Sequence, residues 1–306
     1  MRILLASPRG FCAGVVMATE CLERALELLG PPIYVYHEIV HNQHVVRRFR
    51  RRGAIFITDP EQVPEGATLL FSAHGVSPAV RQQARQRRLR TIDATCPLVT
   101  KVHLEAIRFA RQDYTIVLVG QAGHDEVVGT LGEAPDHIHV VGSVADVEGL
   151  AVADEGRVAY LTQTTLSRYE AEPILAALRQ RFPSAVGPAK EDMCYASQNR
   201  QEAVEELLAE ADVVLVFGSQ NSHNSRRLRE RAAAAGKPAY LLDDVRQLRT
   251  EWFAVEDSVL VTAGASCPED VVLEGVAALQ DHFGAAVEDR VLREEHVHFA
   301  LPQVLR

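Results

Sequence analysis

Three cysteines recur along the chain at similar intervals, and a thiol is a side chain well suited to hold a soft metal. Cys12, Cys96 and Cys194 lie 84 and 98 residues apart, and each directly precedes a stretch with helical periodicity. A thiolate is favoured at a helix N-terminus, because the helix dipole stabilises negative charge there. Three thiolates leave one vacant position on a metal, which fits a Cys₃ zinc site or a [4Fe–4S] cluster with one open iron. The residues alone also allow three unrelated buried cysteines.

The remaining two cysteines differ from these three. Cys21 falls inside a helical stretch and Cys267 follows a strand only in the last third of the chain, so both are expected to be packing residues. The chain contains no C-x-x-C spacing. An odd number of cysteines in a chain without an evident signal sequence predicts no disulfides.

A second candidate for metal chemistry is the string HEIVH at residues 37 to 41, a literal match to the H-E-x-x-H pattern of zinc peptidases. That pattern binds zinc only on a helix, where both histidines share one face. Here Pro31-Pro32 and the run IYVY predict a strand that ends in a loop. We therefore expect His37 to be structural and His41 to face a ligand pocket.

Positioning these residues requires a repeated α/β unit. After each of the three cysteines come a helix, a strand with a polar loop, and a second strand with a small polar loop and another helix. This pattern predicts an α/β fold of three similar lobes with mainly parallel sheets in pseudo-threefold arrangement. The expected lobes are residues 1–95, 96–193 and 194–285, followed by a C-terminal tail at 286–306. Ligands of such sheets bind beyond the carboxyl ends of the strands.

The loops at those strand ends are rich in neutral and switchable hydrogen-bonding groups and poor in fixed cations. Beside helix N-termini they could cradle a phosphate or diphosphate, and Glu126 could carry protons to a bound ligand. The set comprises His41, Asn42, His74, His124, Asp125, Glu126, Gln163, Thr164, Thr165, Ser222, Asn224 and Ser266. Walker A, G-x-G-x-x-G and G-x-S-x-G loops are missing, which disfavours nucleotide binding and serine hydrolysis.

Composition restricts the partners of the chain. The net charge of −9 argues against a general nucleic-acid binder. The longest apolar runs are far shorter than a membrane span, and the start MRILLASPRG predicts a first buried strand of a cytoplasmic protein. Two basic runs, RRFRRR from residue 47 and RQQARQRRLR from residue 81, are typical of solvated helix faces, with docking of an acidic protein as the alternative.

Nine ordered strings resemble the 4-hydroxy-3-methylbut-2-enyl diphosphate reductases of the non-mevalonate isoprenoid pathway, from residue 1 to about residue 285. The strings are PRGFCAG, VHN, FSAHG, DATCPLVTKVH, GHDEVVGT, TQTTLS, CYASQNRQ, SQNSHNS and TAGAS. The resemblance implies a three-lobed fold around a central iron–sulfur cluster. It also implies reductive dehydroxylation of (E)-4-hydroxy-3-methylbut-2-enyl diphosphate to isopentenyl and dimethylallyl diphosphates.

The resemblance further implies roles for individual residues. Cys12, Cys96 and Cys194 would hold the [4Fe–4S] cluster, whose open iron binds the substrate hydroxyl. Glu126 would donate a proton, and Thr164 would orient the hydroxyl. The residues expected around the diphosphate are His41, His74, His124, Ser222, His223, Asn224 and Ser266. Since His223 stands where the family often has a small residue, its contact is expected through the backbone. The basic runs suggest a ferredoxin or flavodoxin as electron donor.

Two other classes compete with the reductase. A non-redox lyase could use the same open iron to dehydrate a hydroxy acid, but carboxylate recognition favours fixed cations that the loops lack. A non-catalytic iron–sulfur sensor would need an element that reads DNA or a partner, and no helix-turn-helix pattern is evident. Turnover that needs no reductant would favour the lyase, and unchanged turnover without Glu126 would remove that residue from its role.

Overall fold

The computed structural model of the chain describes all residues from Met1 to Arg306. Its strands are β1 (Arg2–Ser7), β2 (Ile33–Tyr36), β3 (Ala54–Ile57), β4 (Thr68–Phe71), β5 (Arg90–Asp93), β6 (Thr115–Val119), β7 (Ile138–Val141), β8 (Val158–Thr162), β9 (Val213–Phe217), β10 (Ala239–Leu242), β11 (Ser258–Ala263) and β12 (Ala286–Val291). Its helices are α1 (Ala13–Leu29), α2 (Gln43–Arg51), α3 (Pro78–Gln86), α4 (Pro97–Arg111), α5 (Asp125–Glu133), α6 (Val144–Glu148), α7 (Arg168–Arg181), α8 (Tyr195–Leu207), α9 (His223–Ala234) and α10 (Glu269–Phe283).

The chain divides into two compact units. Unit 1 comprises residues 1–16, 40–51 and 195–298, and unit 2 comprises residues 17–39, 52–194 and 299–306. Unit 1 contains one sheet with the strand order β10-β9-β11-β1-β12. Unit 2 contains two sheets, with the orders β3-β2-β4-β5 and β7-β6-β8. Neighbouring strands are parallel in all three sheets, which confirms the predicted α/β fold class.

Unit 1 is assembled from three separate segments of the chain. β1 lies between β11 and β12, so residues from the two ends of the chain share one sheet. The segment 40–51, which carries α2, also falls in unit 1. β1 carries a run of four buried apolar residues, a composition that requires a neighbour on both edges and cover on both faces. A strand pattern predicts that such a strand exists, but it does not identify its partners.

The core of unit 1 follows the alternation of its strands. Odd-numbered residues of β1, such as Ile3 and Leu5, pack with apolar residues of α10, including Val272 and Leu279. Even-numbered residues, such as Leu4, pack in a second cluster with residues of α8 and α9. Successive side chains of a strand point to opposite faces, and helices cover both faces of this sheet. The central strands are therefore shielded from water on both sides.

Unit 2 repeats this arrangement around its three-stranded sheet. One face of that sheet packs on α4 and α5 through Val102, Phe109 and Val127. The other face packs on α7 through Ile174 and Leu178. The four-stranded sheet has its own apolar cluster, in which β4 residues meet Ala84 of α3.

Local sequence signals account for several helix ends. Ser77 caps α3 ahead of Pro78, and Ser167 and Glu170 form a reciprocal capping box at the start of α7. Gly284 ends α10 in the left-handed conformation, with φ of 62°, which glycine adopts without strain. No helix is long and apolar enough to cross a membrane.

Candidate functional site

The three recurring cysteines all stand at the residue before a helix. Cys12 precedes α1, Cys96 precedes α4 and Cys194 precedes α8, as the sequence predicts. All three are partly exposed, and none forms a disulfide. The thiols therefore lie where the dipoles of three helices favour negative charge.

The backbone of each cysteine is tied to the end of a strand in the same way. The amide nitrogens donate to Ala265 O at 3.1 Å from Cys12, to Ala73 O at 3.0 Å from Cys96 and to Thr164 O at 2.7 Å from Cys194. Each acceptor is the second residue after a strand, following β11, β4 and β8 respectively. These acceptors lie in the predicted second loops. Cys96 and Cys194 are each bound to the second loop of the segment before them along the chain, and Cys12 is bound to the second loop of the last segment.

The other two cysteines have a different environment. Cys21 and Cys267 are fully buried. Burial raises the pKa of the Cys21 thiol to about 12, and it raises the pKa of the Cys267 thiol as well. Both side chains therefore remain protonated and pack in the core, as expected from the sequence.

Glu126 and Thr164 form a buried acid–hydroxyl pair in unit 2. Glu126 is the second residue of α5 and is 2% exposed. Its Oε1 accepts a hydrogen bond from Thr164 N at 2.6 Å, and its Oε2 accepts one from Thr164 Oγ1 at 2.9 Å. Burial raises the pKa of Glu126 to about 7, against the lowering effect of both hydrogen bonds. A carboxyl with this pKa can hold or release a proton near neutral pH.

Three histidines gather around the start of α5. His124 caps the helix, because its Nδ1 accepts a hydrogen bond from Glu126 N at 3.2 Å. The His124 and His74 rings pack edge to face, with 5.9 Å between their centroids. His37 Nδ1 lies 2.6 Å from Asp125 Oδ1, and His74 Nδ1 lies 3.9 Å from Asp125 Oδ2. The hydrogen bond to Asp125 raises the pKa of His37. Asp125 thus binds His37 directly and lies near His74.

The peptidase-like string is not helical. Residues 37–41 follow β2 as irregular backbone, and His37 has a left-handed φ of 57°. His37 and His41 therefore do not lie on one helical face, which confirms the expectation from Pro31-Pro32. The sequence did not reveal the pairing of His37 with Asp125, because the two residues are 88 positions apart.

Unit 1 contains the other predicted binding residues. Ser222 caps α9 by accepting from Ser225 N, and His223 and Asn224 are the first two residues of that helix. Ser266 Oγ donates to His41 O at 2.8 Å, which joins two of the predicted loops. Asn224 is buried, yet neither its Oδ1 nor its Nδ2 has a hydrogen-bond partner within the protein. A buried amide without a partner at a helix N-terminus fits an anionic ligand.

Two charged groups near the cysteines carry no recognisable pattern in the sequence. Asp192, two residues before Cys194, is buried and accepts from Lys101 Nζ at 2.9 Å and from Thr162 N at 3.1 Å. Arg200 lies fully buried on α8. In the sequence, Asp192 and Arg200 are marked only by their closeness to Cys194, because the residues that pair with them lie far away along the chain.

Comparison with known proteins identifies the family. The family model described as LytB protein matches residues 3–280. The chain belongs to the LytB family.

Curated relatives of this LytB chain share the name 4-hydroxy-3-methylbut-2-enyl diphosphate reductase. The relative from Rhodopirellula baltica is 56% identical over 306 residues, which is 100% of this chain and 96% of the relative. The relative from Alcanivorax borkumensis is 50% identical, with complete coverage of both chains. These names confirm the predicted enzyme class, an oxidoreductase.

Solved structures of two reductases resemble the LytB chain. The E-1-hydroxy-2-methyl-but-2-enyl-4-diphosphate reductase from Plasmodium falciparum superposes with a TM-score of 0.96 at 37% identity, covering 99% of this chain and 96% of that one. A structure of (E)-4-hydroxy-3-methyl-but-2-enyl diphosphate reductase superposes with a TM-score of 0.67 at 31% identity, covering 92% and 100%. The fold is thus shared along nearly the whole chain.

The raised pKa of Glu126 predicts a pH-dependent stability. Between pH 4.5, the ordinary pKa of a glutamate, and about pH 7, the folded chain binds a proton that the unfolded chain releases. This contribution to stability is fully present below pH 4.5 and is lost as the pH rises through about 7. From pH 5 to pH 8, we expect the free energy of unfolding to fall by about 2–3 kcal/mol more in the wild type than in Glu126→Gln.

Urea denaturation at several pH values measures this difference. Glu172→Gln removes an exposed carboxylate from α7 and serves as the matched control, with a profile parallel to the wild type. Parallel profiles for Glu126→Gln and the wild type would contradict the assignment of the raised pKa to Glu126.

Proposed function

We propose that the chain catalyses the reductive dehydroxylation of (E)-4-hydroxy-3-methylbut-2-enyl diphosphate to isopentenyl and dimethylallyl diphosphates, the last step of the non-mevalonate pathway. The observation that carries this proposal is the set of three partly exposed cysteines, each tied by an equivalent hydrogen bond to the end of a strand. Relatives that align over the full chain carry the corresponding reductase name.

The donor set fits an iron–sulfur cluster. Cys12, Cys96 and Cys194 would hold a [4Fe–4S] cluster with three thiolates, each at a helix N-terminus that favours the thiolate form. When bound, such a cluster supplies electrons one at a time and a Lewis-acidic iron with an open position. The buried thiols of Cys21 and Cys267 do not suit this role, because their raised pKa keeps them protonated.

The diphosphate would bind through neutral donors and histidines. In unit 1, Ser222, His223 and Asn224 occupy the N-terminus of α9, where backbone N–H groups and the helix dipole favour an anion. The buried amide of Asn224, which has no partner in the protein, supplies a donor for a phosphate oxygen. The other proposed contacts are His41, His74, His124 and Ser266.

Glu126 and Thr164 would carry out proton transfer to the substrate. The reaction takes up two electrons and two protons, and the allylic hydroxyl leaves as water. Glu126 stores a proton near neutral pH because burial raises its pKa to about 7. The Thr164 hydroxyl, which donates to Glu126 Oε2, can also accept, so the pair can orient the substrate hydroxyl and pass a proton to it.

Replacing Glu126 tests this role. Glu126→Gln keeps the size of the side chain and an acceptor for Thr164 but removes the acidic proton. We expect turnover to fall at least about 100-fold, because general acid catalysis contributes that much in typical enzymes. Iron and acid-labile sulfide per chain should stay at the wild-type level, because Glu126 is not a proposed ligand.

Steady-state assays with a chemical reductant measure this effect, together with metal analysis of the same samples. The exposed Glu172→Gln variant should keep both turnover and cluster. Unchanged turnover in Glu126→Gln would remove Glu126 from the proposed mechanism. Turnover of the wild type without any reductant would indicate a lyase instead.

An acidic ferredoxin or flavodoxin in the cytoplasm would supply the electrons. On α2, the side chains of Arg47, Arg48, Arg50 and Arg51 are exposed. Such a concentration of positive charge on one short helix attracts an acidic protein and accelerates its association.

Reversing charges on α2 tests the docking surface. In Arg50→Glu/Arg51→Glu we expect the rate of reduction by an acidic protein donor to fall about tenfold at low ionic strength, and the effect to shrink with added salt. Reduction by dithionite should be unchanged, since a small reductant needs no docking.

Arg88→Glu/Arg90→Glu makes the same charge change in the other basic run, at two exposed positions of unit 2. Stopped-flow measurements compare the two double variants. If the α2 variant reacts like the wild type, or if the second variant alone slows the protein donor, α2 is not the docking surface.

A further inference from the structure

Arg200 lies at the centre of a network beside the first cysteine. It belongs to α8 in unit 1, and 1% of its surface is exposed. Its Nε donates to Gly10 O at 3.0 Å, and its Nη2 lies 3.4 Å from Phe11 O. Gly10 and Phe11 are the two residues directly before Cys12. The guanidinium thus binds the carbonyl groups of the loop that presents this thiol.

The opposite charge comes from the C-terminal tail. Glu295 Oε1 lies 3.2 Å from Arg200 Nη1, and Oε2 lies 3.3 Å from Nη2. Asn199 Nδ2 also donates to Glu295 Oε1, at 2.9 Å. The backbone of residues 293–298 has no regular secondary structure, and residue 295 lies beyond the part matched by the family model. A buried guanidinium needs a countercharge, so the tail residue Glu295 completes this network.

The other side of the same loop is held by backbone bonds. Gly10 N donates to Ala263 O at 3.3 Å, and Cys12 N donates to Ala265 O at 3.1 Å. Gly10 adopts a left-handed φ of 62°, and a Cβ at this position would come within 3.0 Å of Cys267 O. The N–H groups of the loop therefore donate to the end of β11 and the residues after it, and its carbonyl groups accept from Arg200. Loss of either set would free the backbone that positions Cys12.

We propose that Arg200 and Glu295 are a positioning pair for Cys12, which makes the C-terminal tail a part of the cofactor-binding scaffold. The proposal rests on the proposed function in one respect, namely that Cys12 is a cluster ligand. Arg200 suits this task because its planar fork of five N–H donors binds the carbonyl groups of Gly10, Phe11 and Ala196 and both carboxylate oxygens of Glu295 at once, more acceptors than the three donors of a lysine can serve. Glu295 fixes the orientation of that group.

Hydrogen exchange tests the positioning without relying on the cofactor. It is measured by mass spectrometry on the full chain before cluster reconstitution, for the wild type, Glu295→Gln, Glu295→Asp and Glu294→Gln. The last is the matched control, because Glu294 is the exposed neighbour and pairs with His296. In Glu295→Gln we expect exchange of residues 9–12 to rise about tenfold, the size expected for losing a hydrogen bond between charged groups. Glu295→Asp should restore part of the protection.

The pattern of exchange decides between positioning and general stability. Residues 94–98 around Cys96, in unit 2, serve as the internal reference and should exchange as in the wild type. Unchanged exchange at residues 9–12 would overturn the proposal. A uniform rise across the chain would overturn it as well, because the pair would then stabilise the fold rather than the loop.

Reconstitution of the same samples connects the loop to the cofactor. Iron bound per chain should fall in Glu295→Gln and stay at the wild-type level in Glu294→Gln. Full iron content in Glu295→Gln, together with loss of iron in Cys12→Ser, would show that the pair is not needed to present the ligand. Full iron content in Cys12→Ser would instead overturn the ligand role of Cys12, and the exchange data would still judge the positioning of the loop separately.

Discussion

The hydrogen bond from each cysteine amide to the second residue beyond a strand is the interaction on which the candidate site depends. The first N–H groups of a helix have no partner inside the helix, and these bonds supply a strand-end acceptor for the residue just before α1, α4 and α8. Because the strands within each sheet are parallel, their carboxyl ends meet at one edge of that sheet, where the loops with the polar residues lie. In each case this hydrogen bond links the start of a helix, and the cysteine that precedes it, to the loop beyond a strand.

Much of the fold could be predicted from local patterns. The three cysteine helices, the strands after them and the non-helical HEIVH string follow from periodicity, breakers and helix starts. The pairing of β1 with β11 and β12 could not be predicted, because strand partners are set by packing between distant parts of the chain. For the same reason the spacing in the sequence associates Cys12 with the loops that follow it, whereas its amide is bound to the loop after β11.

The residue types of the candidate site can be read from the sequence, but their electrostatics cannot. Glu126 could be named from its place after a strand, but its pKa of about 7 arises from complete burial against Thr164, which no local pattern reports. The roles of Asp192 and Arg200 depend on Lys101 and Glu295, which are 91 and 95 positions away. Buried charges have such distant partners because an unpaired charge in the core is too costly to persist.

The two units differ in the candidate residues that each contains. Unit 1 supplies Cys12 and the hydroxyl and amide donors at the start of α9, which suit an anion. Unit 2 supplies Cys96, Cys194 and the buried acid Glu126, which suit metal binding and proton transfer.

Whether Cys12, Cys96 and Cys194 hold an iron–sulfur cluster is tested by the content of iron and acid-labile sulfide per chain after anaerobic purification. It is measured for the wild type, for single serine variants of Cys12, Cys96 and Cys194, and for Cys21→Ala as a control in the buried core. A cluster held by these three thiolates should give about four irons and about four sulfides per chain in the wild type and in Cys21→Ala, and a clear loss in each serine variant. Zinc in place of iron and sulfide, no metal at all, or full iron content in any of the three serine variants would contradict it.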